Sequence, residues 1–122
     1  MLKIIIPINA VAQERPRFKN GKCYDPPRSR EFKREVGYLV KEAWKDTPMI
    51  EGTARLDVTF YRRAVNCDVD NLVKALMDAL QGICYKNDSQ IWELNAKKRI
   101  SSTPRIELDI SAMEADNENN TR

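Results

Sequence analysis

Three aspartates and one lysine, spread over two short segments, have the composition of a divalent-metal site. Asp68, Asp70 and Lys74 lie in the segment 67–74, and Asp88 lies in the segment 87–90. Carboxylate oxygens suit hard cations such as Mg²⁺, which is usually held by a few acids together with substrate phosphates. These residues therefore predict a metal held against a phosphodiester.

Each of these residues also has a simpler explanation. Asp70 could cap a helix, Asp68 could be a loop residue, Lys74 could pair with an acid one turn away, and Asp88 could form a turn. Two carboxylates so close together repel each other unless a cation neutralises them. The metal site is the more economical interpretation, although a bare Asp-x-Asp also occurs in glycosyltransferases and in phosphatases with an aspartyl nucleophile, usually on larger domains.

Composition excludes several other chemistries. The 122 residues contain no histidine, which rules out a histidine general base, a Ser-His-Asp triad and a histidine-bearing zinc site. The three cysteines form no C-x-x-C pair, so we expect free thiols in a reducing cytoplasm. The longest apolar run, residues 4–6, is far shorter than the roughly 20 residues that span a bilayer, and no cleavable signal segment is visible. We expect an unprocessed, soluble, cytoplasmic protein.

The charge distribution favours a polyanionic partner. Formal net charge is +3, from 21 basic and 18 acidic residues. We expect one domain over residues 1–113 and a disordered acidic and polar tail over 114–122. The basic residues form three groups, which are Arg15, Arg17, Lys19 and Lys22; Arg28, Arg30, Lys33 and Arg34; and Lys97, Lys98 and Arg99. Any one group is as easily explained as solvated surface charge, but three groups beside an acidic site favour nucleic acid.

Hydrophobic periodicity predicts the elements that position these residues. Strands are expected over 2–8, 53–61, 91–99 and 105–111, with a hairpin around Asn20-Gly21. One helix should run from an N-cap at Ser29 to about Lys45. A second helix should run from about Asp70 to Leu80, closed by Gly82. The predicted fold class is α+β, a small mixed β-sheet covered by two helices in a single, dimeric domain.

Aromatic side chains near the charged segments have two possible roles. Phe18, Tyr24, Tyr85 and Trp92 could stack on unpaired bases of a nucleic acid. A place in the hydrophobic core is the commoner role for such residues.

The combined pattern resembles the RusA family of Holliday junction resolvases. The resemblance is carried by residues 68–80 and Asn87-Asp88-Ser89-Gln90, and upstream by Arg15-Pro16-Arg17 and residues 21–26. It covers nearly the whole chain. One position differs, because the family often has two adjacent acids where this chain has Asn87-Asp88.

The resemblance implies a Mg²⁺-dependent homodimeric endonuclease, with Mn²⁺ as a possible alternative ion. Such enzymes are often prophage-borne and nick four-way DNA junctions symmetrically during recombination and repair. Asp68, Asp70 and Asp88 match the family's metal-binding acids, and Lys74 matches its catalytic lysine.

The remaining site residues are expected to contact DNA. Asn71 would orient a carboxylate or touch a phosphate, and the basic residues Arg15, Arg17, Lys19 and Lys22 would bind the phosphate backbone. Two other functions stay open from the residues alone. These are a flap or structure-selective nuclease with the same site, and a non-catalytic module that binds DNA junctions.

Overall fold

The computed structural model describes residues 2–12, 17–24, 27–64 and 66–113, with only the backbone described at residues 2, 17–19 and 22–24. Its strands are β1 (Leu2–Ile6), β2 (Arg17–Lys19), β3 (Lys22–Tyr24), β4 (Ala54–Arg62), β5 (Ile91–Ile100) and β6 (Arg105–Ala112). Its helices are α1 (Pro27–Trp44), α2 (Val69–Leu80) and a short 3₁₀ helix (Asp88–Gln90). The predicted α+β fold with one small mixed sheet and two α-helices is confirmed. Within the described ranges, no helix is long and apolar enough to cross a membrane.

The main sheet contains one parallel pair of strands, and this pair positions the acidic segment. Strand order is β1-β6-β4-β5, with β4 antiparallel to β6 and parallel to β5. Parallel neighbours require a crossover connection, and α2 supplies it. The carboxyl edge of parallel strands, where the first strand passes to its helix, is the usual ligand-binding edge of such units. Asp68 and Asp70 lie at this junction.

The core lies between one face of the sheet and the two helices. Strand β4 alternates between buried and half-buried or exposed side chains, and Val58 and Phe60 point into the core. Leu72 and Leu76 of α2 and Val36 of α1 are fully buried against them. Each such side chain contributes roughly 1.5–3 kcal/mol through burial. Helix α2 is therefore fixed on the sheet, and its first turn has a defined position.

The predicted hairpin is present as a separate two-stranded sheet of β2 and β3. Asn20 has φ 55° and Gly21 has φ 77°. Both values are positive, as the type I′ turn requires. The side chains of Arg17, Lys19 and Lys22 are outside the described part of the structure, as is all of Arg15.

The prediction of Ser29 as the N-cap of α1 is wrong. The helix begins at Pro27, and Ser29 lies inside it, 1% exposed. Proline is well suited to the first helical position because its missing N–H would have no partner there and its φ is already helical. The predicted tail over 114–122 lies outside the described residues.

Candidate active site

Two exposed carboxylates stand at the start of α2. Asp68 occupies the N-cap position with φ −75° and ψ 140°, but its side chain makes no capping hydrogen bond. Asp70 lies inside the first turn, where its Oδ1 accepts the backbone N–H of Asn71 at 3.0 Å. The side chain of Asp68 therefore does not cap the helix, whereas Asp70 satisfies one first-turn N–H with one of its two oxygens. The positive end of the helix dipole stabilises both charges.

Lys74 lies one turn beyond Asp70, on the same face of α2. Its side chain is exposed, and no salt bridge to it is found among the described residues. Asp78, a further turn along, pairs with Lys33 of α1 at 3.3 Å. The polar face of α2 thus has two parts. Toward the C-terminal end of the helix Asp78 joins α2 to α1, and toward the N-terminal end the charged groups face solvent.

A buried arginine holds the loop that leads to Asp68. Arg62, the last residue of β4, is buried. Its Nη1 donates to the carbonyl oxygen of Ala64 at 2.8 Å and to Asn66 Oδ1 at 3.2 Å, and its Nε donates to the carbonyl oxygen of Ala10 at 3.3 Å. A buried guanidinium needs such partners because it has lost its water. Arg62 therefore fixes the loop against the segment after β1.

A second cation holds the same loop from β5. The Nζ of Lys98 donates to the carbonyl oxygen of Cys67 at 2.5 Å. Cys67 immediately precedes Asp68, so this contact places the acidic pair beside the carboxyl half of β5.

A small cleft opens next to this loop. It has a volume of about 190 Å³ and is lined by Val11, Ala12, Arg28, Arg62, Asn66 and Cys67. Arg28 comes from the first turn of α1 and is exposed. Arg28 shares the lining of this cleft with Cys67, the residue that precedes Asp68.

Sequence reasoning missed the role of Arg62 and placed Arg28 only within a surface group. One signal for Arg62 was available. Val58, Phe60 and Arg62 are every second residue of β4, so their side chains lie on the same, core-facing side of the sheet. Arg62 is therefore a charged residue at a core position. Such a residue must have buried partners.

Asp88 lies at the other end of α2. Its backbone N–H donates to Gln81 Oε1 at 3.0 Å, and Gln81 is the C-cap residue of the helix. A capping box fixes the turn around it, because Asn87 Oδ1 accepts the N–H of Ser89 at 2.9 Å and Gln90 Oε1 accepts the N–H of Asn87 at 3.0 Å. Asp88 is thus held firmly at the C-terminal end of α2.

A single chain therefore brings together only two of the three predicted metal ligands. At 1.5 Å per residue, the helix rises about 16 Å from Asp70 to Gln81. Within the described residues, no group of three or more acidic, cysteine or histidine side chains is placed to hold a metal ion. Asp68 and Asp70 have the oxygen donors that suit a hard cation, and the ligand role of Asp88 stays a prediction.

The aromatic residues differ in their environment. Tyr85 is fully buried, its hydroxyl donates to the carbonyl oxygen of Met77 at 2.6 Å, and burial raises the pKa of Tyr85 above its usual range. It is a core residue. Trp92 is exposed on β5. The side chains of Phe18 and Tyr24 lie outside what the structure describes.

Two of the cysteines are free thiols, as predicted. Cys84 is buried, Cys67 is half-buried, and neither is in a disulfide. Burial raises the pKa of the Cys84 thiol to about 12, so it stays neutral and unreactive at physiological pH. The side chain of Cys23 is outside the described set.

Comparison with known proteins identifies the family of the chain. The family described as endodeoxyribonuclease RusA matches residues 7–111, a span that contains the three acids and Lys74. The chain belongs to the RusA family of endodeoxyribonucleases. It is also 34% identical over 131 aligned residues to the uncharacterized protein YqaN of Bacillus subtilis (strain 168), covering 86% of this chain and 92% of that protein. As a RusA-family member it is a hydrolytic nuclease, and nucleases of this family depend on metal.

Proposed function

We propose that this RusA-family chain is a Mg²⁺-dependent homodimeric endonuclease that resolves four-way DNA junctions during recombination and repair. The observation that supports this most is the exposed pair Asp68 and Asp70 at the carboxyl edge of a parallel strand pair, inside the span that matches the family. The side chain of Asp68 makes no capping hydrogen bond and Asp70 uses only Oδ1 for a backbone N–H, whereas metal binding would explain both their position and their spacing.

The donor set fits magnesium. Asp68 and Asp70, completed by Asp88, would supply only oxygen ligands, as Mg²⁺ prefers, and leave room for water and phosphate. A bound Mg²⁺ supplies a Lewis acid that polarises the phosphate and acidifies water. Mn²⁺ offers the same coordination preferences and is the alternative ion.

The cationic residues would act on the phosphates. Lys74 faces solvent one helical turn above Asp70, where its ammonium group can stabilise the negative charge that grows on the scissile phosphate. Arg28 in the neighbouring cleft would hold the next phosphate of the strand, a contact for which a guanidinium fork is well shaped. Arg15, Arg17, Lys19, Lys22 and Asn71 would bind the backbone further along the junction arms.

Junction symmetry supports a dimer. Two nicks in strands of equal polarity require two active sites related by a two-fold axis, and a C2 homodimer supplies them. Each chain would then contribute one active site, and each site would cut one of the two opposed strands.

The direct test is cleavage of a synthetic four-way junction with a mobile core. With Mg²⁺ we expect paired nicks in opposed strands, and with EDTA no nicks. Parallel reactions on a Y-fork, a flap and linear duplex separate a resolvase from a general structure-selective nuclease. Equal cutting of the flap would contradict resolution as the function, and an intact junction with every divalent metal would contradict the proposal as a whole.

A further inference from the structure

A second cleft adjoins the one beside Cys67, and Val11 and Arg28 line both of them. The second cleft has a volume of about 200 Å³, which is below the roughly 300–1,000 Å³ of pockets that take drug-sized ligands. Its size therefore suits one flat ring system. Its neighbour leads directly to the residue before Asp68.

The walls of this second cleft are apolar and fixed. Ile8 and Val11 come from the segment after β1, and Phe32 comes from α1 and is buried in the core. The Ile8 N–H donates to the carbonyl oxygen two residues earlier at 2.9 Å. The carbonyl oxygen of the fully buried Ala10 accepts from Arg62 Nε at 3.3 Å. The segment is thus held at two points, so the cleft is formed before a ligand binds.

Three charged side chains of α1 line the same cleft without pairing with one another. Arg28, Glu31 and Glu35 lie at i, i+3 and i+7, a spacing that places them on one side of the helix, and all three are exposed. Among the residues that the structure describes, no salt bridge involves any of them. The spacing of Arg28 and Glu31 would permit such a pair. Their hydrogen-bonding groups are therefore available to a ligand.

The signs of these charges favour a nucleotide with its base in the cleft. Glu31 and Glu35 repel the phosphates of a bound strand, but a carboxylate accepts a hydrogen bond from the amino group of cytosine. Adenine and guanine also carry an exocyclic amino group, whereas thymine has none. Arg28 has the opposite charge, and its guanidinium fork is well shaped for a phosphate. The cleft is thus complementary to one base that donates and to the phosphate beside it.

A base enters such a cleft only after it leaves the helical stack. Proteins that act on an unstacked base hold it between aromatic or apolar side chains, and unstacking costs least where the base is already poorly paired. The crossover of a four-way junction supplies such bases beside the strand that is cut. The apolar walls of Ile8, Val11 and Phe32 would replace part of the lost stacking.

We propose that this cleft holds one unstacked base of the strand that is cut, with its exocyclic amino group donating to Glu31 or Glu35 and its phosphate on Arg28. This inference rests on the proposed nuclease function and adds a determinant of sequence preference to it. Asp68 and Asp70 act on a phosphate of any sequence. The cleft therefore selects the position along the junction at which the strand is cut.

The substrate half of this inference is tested with the wild-type protein and junctions that differ only in the bases next to the cut. At one position, at least one base with an exocyclic amino group should support single-turnover cleavage about 10-fold faster than thymine. That base is then replaced by its analogue without the amino group, which is 2-pyrimidinone for cytosine, purine for adenine or hypoxanthine for guanine. The rate should fall to that of thymine. Cleavage that stays fast with the analogue would overturn the assignment.

The protein half is tested by removing both carboxylates. In Glu31→Ala with Glu35→Ala, the preference for the amino-bearing base over its analogue should disappear. Glu42→Ala with Glu51→Ala changes two other exposed glutamates and the same total charge, and this control should keep the wild-type preference. Circular dichroism checks that both double variants are folded. An unchanged preference in Glu31→Ala with Glu35→Ala would show that the base is read elsewhere and would overturn the cleft.

Unstacking has a readout that does not require cleavage. The fluorescence of 2-aminopurine rises when this base leaves the stack, so it is placed at each position next to the cut in turn. Binding of the wild-type protein in EDTA should raise the fluorescence at one of these positions. The same base in the far part of an arm is the control and should not respond. No rise at any position next to the cut would contradict the inference.

The outcomes separate this inference from the proposed function. Junctions nicked at equal rates whatever their bases would refute the cleft and leave the nuclease function intact. Junctions that no divalent metal allows the protein to nick would refute the proposed function, and the fluorescence measurement would still decide whether the cleft takes a base.

Discussion

Among single residues, Lys74 is the clearest candidate for direct stabilisation of the transition state. Its ammonium group is exposed and forms no salt bridge with the acids that the structure describes. Lys74→Ala should therefore lower the rate of junction cleavage by roughly 10²–10³, the loss typical of a key electrostatic donor, while junction affinity changes little. Single-turnover cleavage and gel-shift binding measure the two effects. Lys41→Ala, an exposed lysine on α1, is the control, and wild-type turnover in Lys74→Ala would remove this lysine from the mechanism.

The buried Cys84 thiol predicts alkaline destabilisation. Burial raises its pKa from 9.0 to about 12, so above pH 9 the unfolded chain releases this proton before the folded chain does. The unfolded state is then favoured, and stability falls as the pH rises from about 9 to 12. Cys84→Ala should show a shallower loss than wild type in urea midpoints measured between pH 8.5 and pH 11. Identical slopes would show that Cys84 does not contribute.

The loop between β4 and α2 depends on Arg62 for its position. Arg62→Ala would leave the partners of this guanidinium without hydrogen bonds, at a cost of about 1–3 kcal/mol in the free energy of unfolding. We also expect slower cleavage, because the loop positions Asp68. Thermal unfolding and cleavage rates test both effects. Arg63→Ala changes an exposed neighbour and should leave both quantities as in wild type, and the same result for Arg62→Ala would contradict a positioning role.

The elements that could be predicted from the sequence are those with a regular local pattern of hydrophobic or turn residues. The alternation of β4, the apolar stripe of α2 and the turn chemistry of Asn20-Gly21 each follow from contacts a few residues apart. The N-cap of α1 was misplaced because Pro27 is the stronger start signal. The position of Asp88 could not be predicted from periodicity, since it depends on the hydrogen bond between its backbone N–H and the side chain of Gln81.

The basic groups of the molecule as a whole predict DNA binding dominated by phosphate contacts. Each phosphate neutralised by a lysine or arginine contributes about 0.9 to the slope of log affinity against log salt for duplex DNA. Replacing Arg17, Lys19 and Lys22 together by alanine should therefore lower that slope by as much as about 3 and weaken every junction equally, whatever its sequence. Gel-shift titrations over a series of salt concentrations measure it. A flat salt dependence of the wild-type protein would contradict phosphate-driven binding.

We propose that the acids at the start of α2 hold the metal that cuts DNA, while other surfaces hold the junction. The most direct test compares Asp70→Asn with wild type for both junction binding and Mg²⁺-dependent nicking. We predict that nicking is abolished and that affinity in the absence of metal is equal or higher, because one negative charge facing DNA has been removed. Cleavage retained in Asp70→Asn, or binding lost in parallel with cleavage, would contradict the claim.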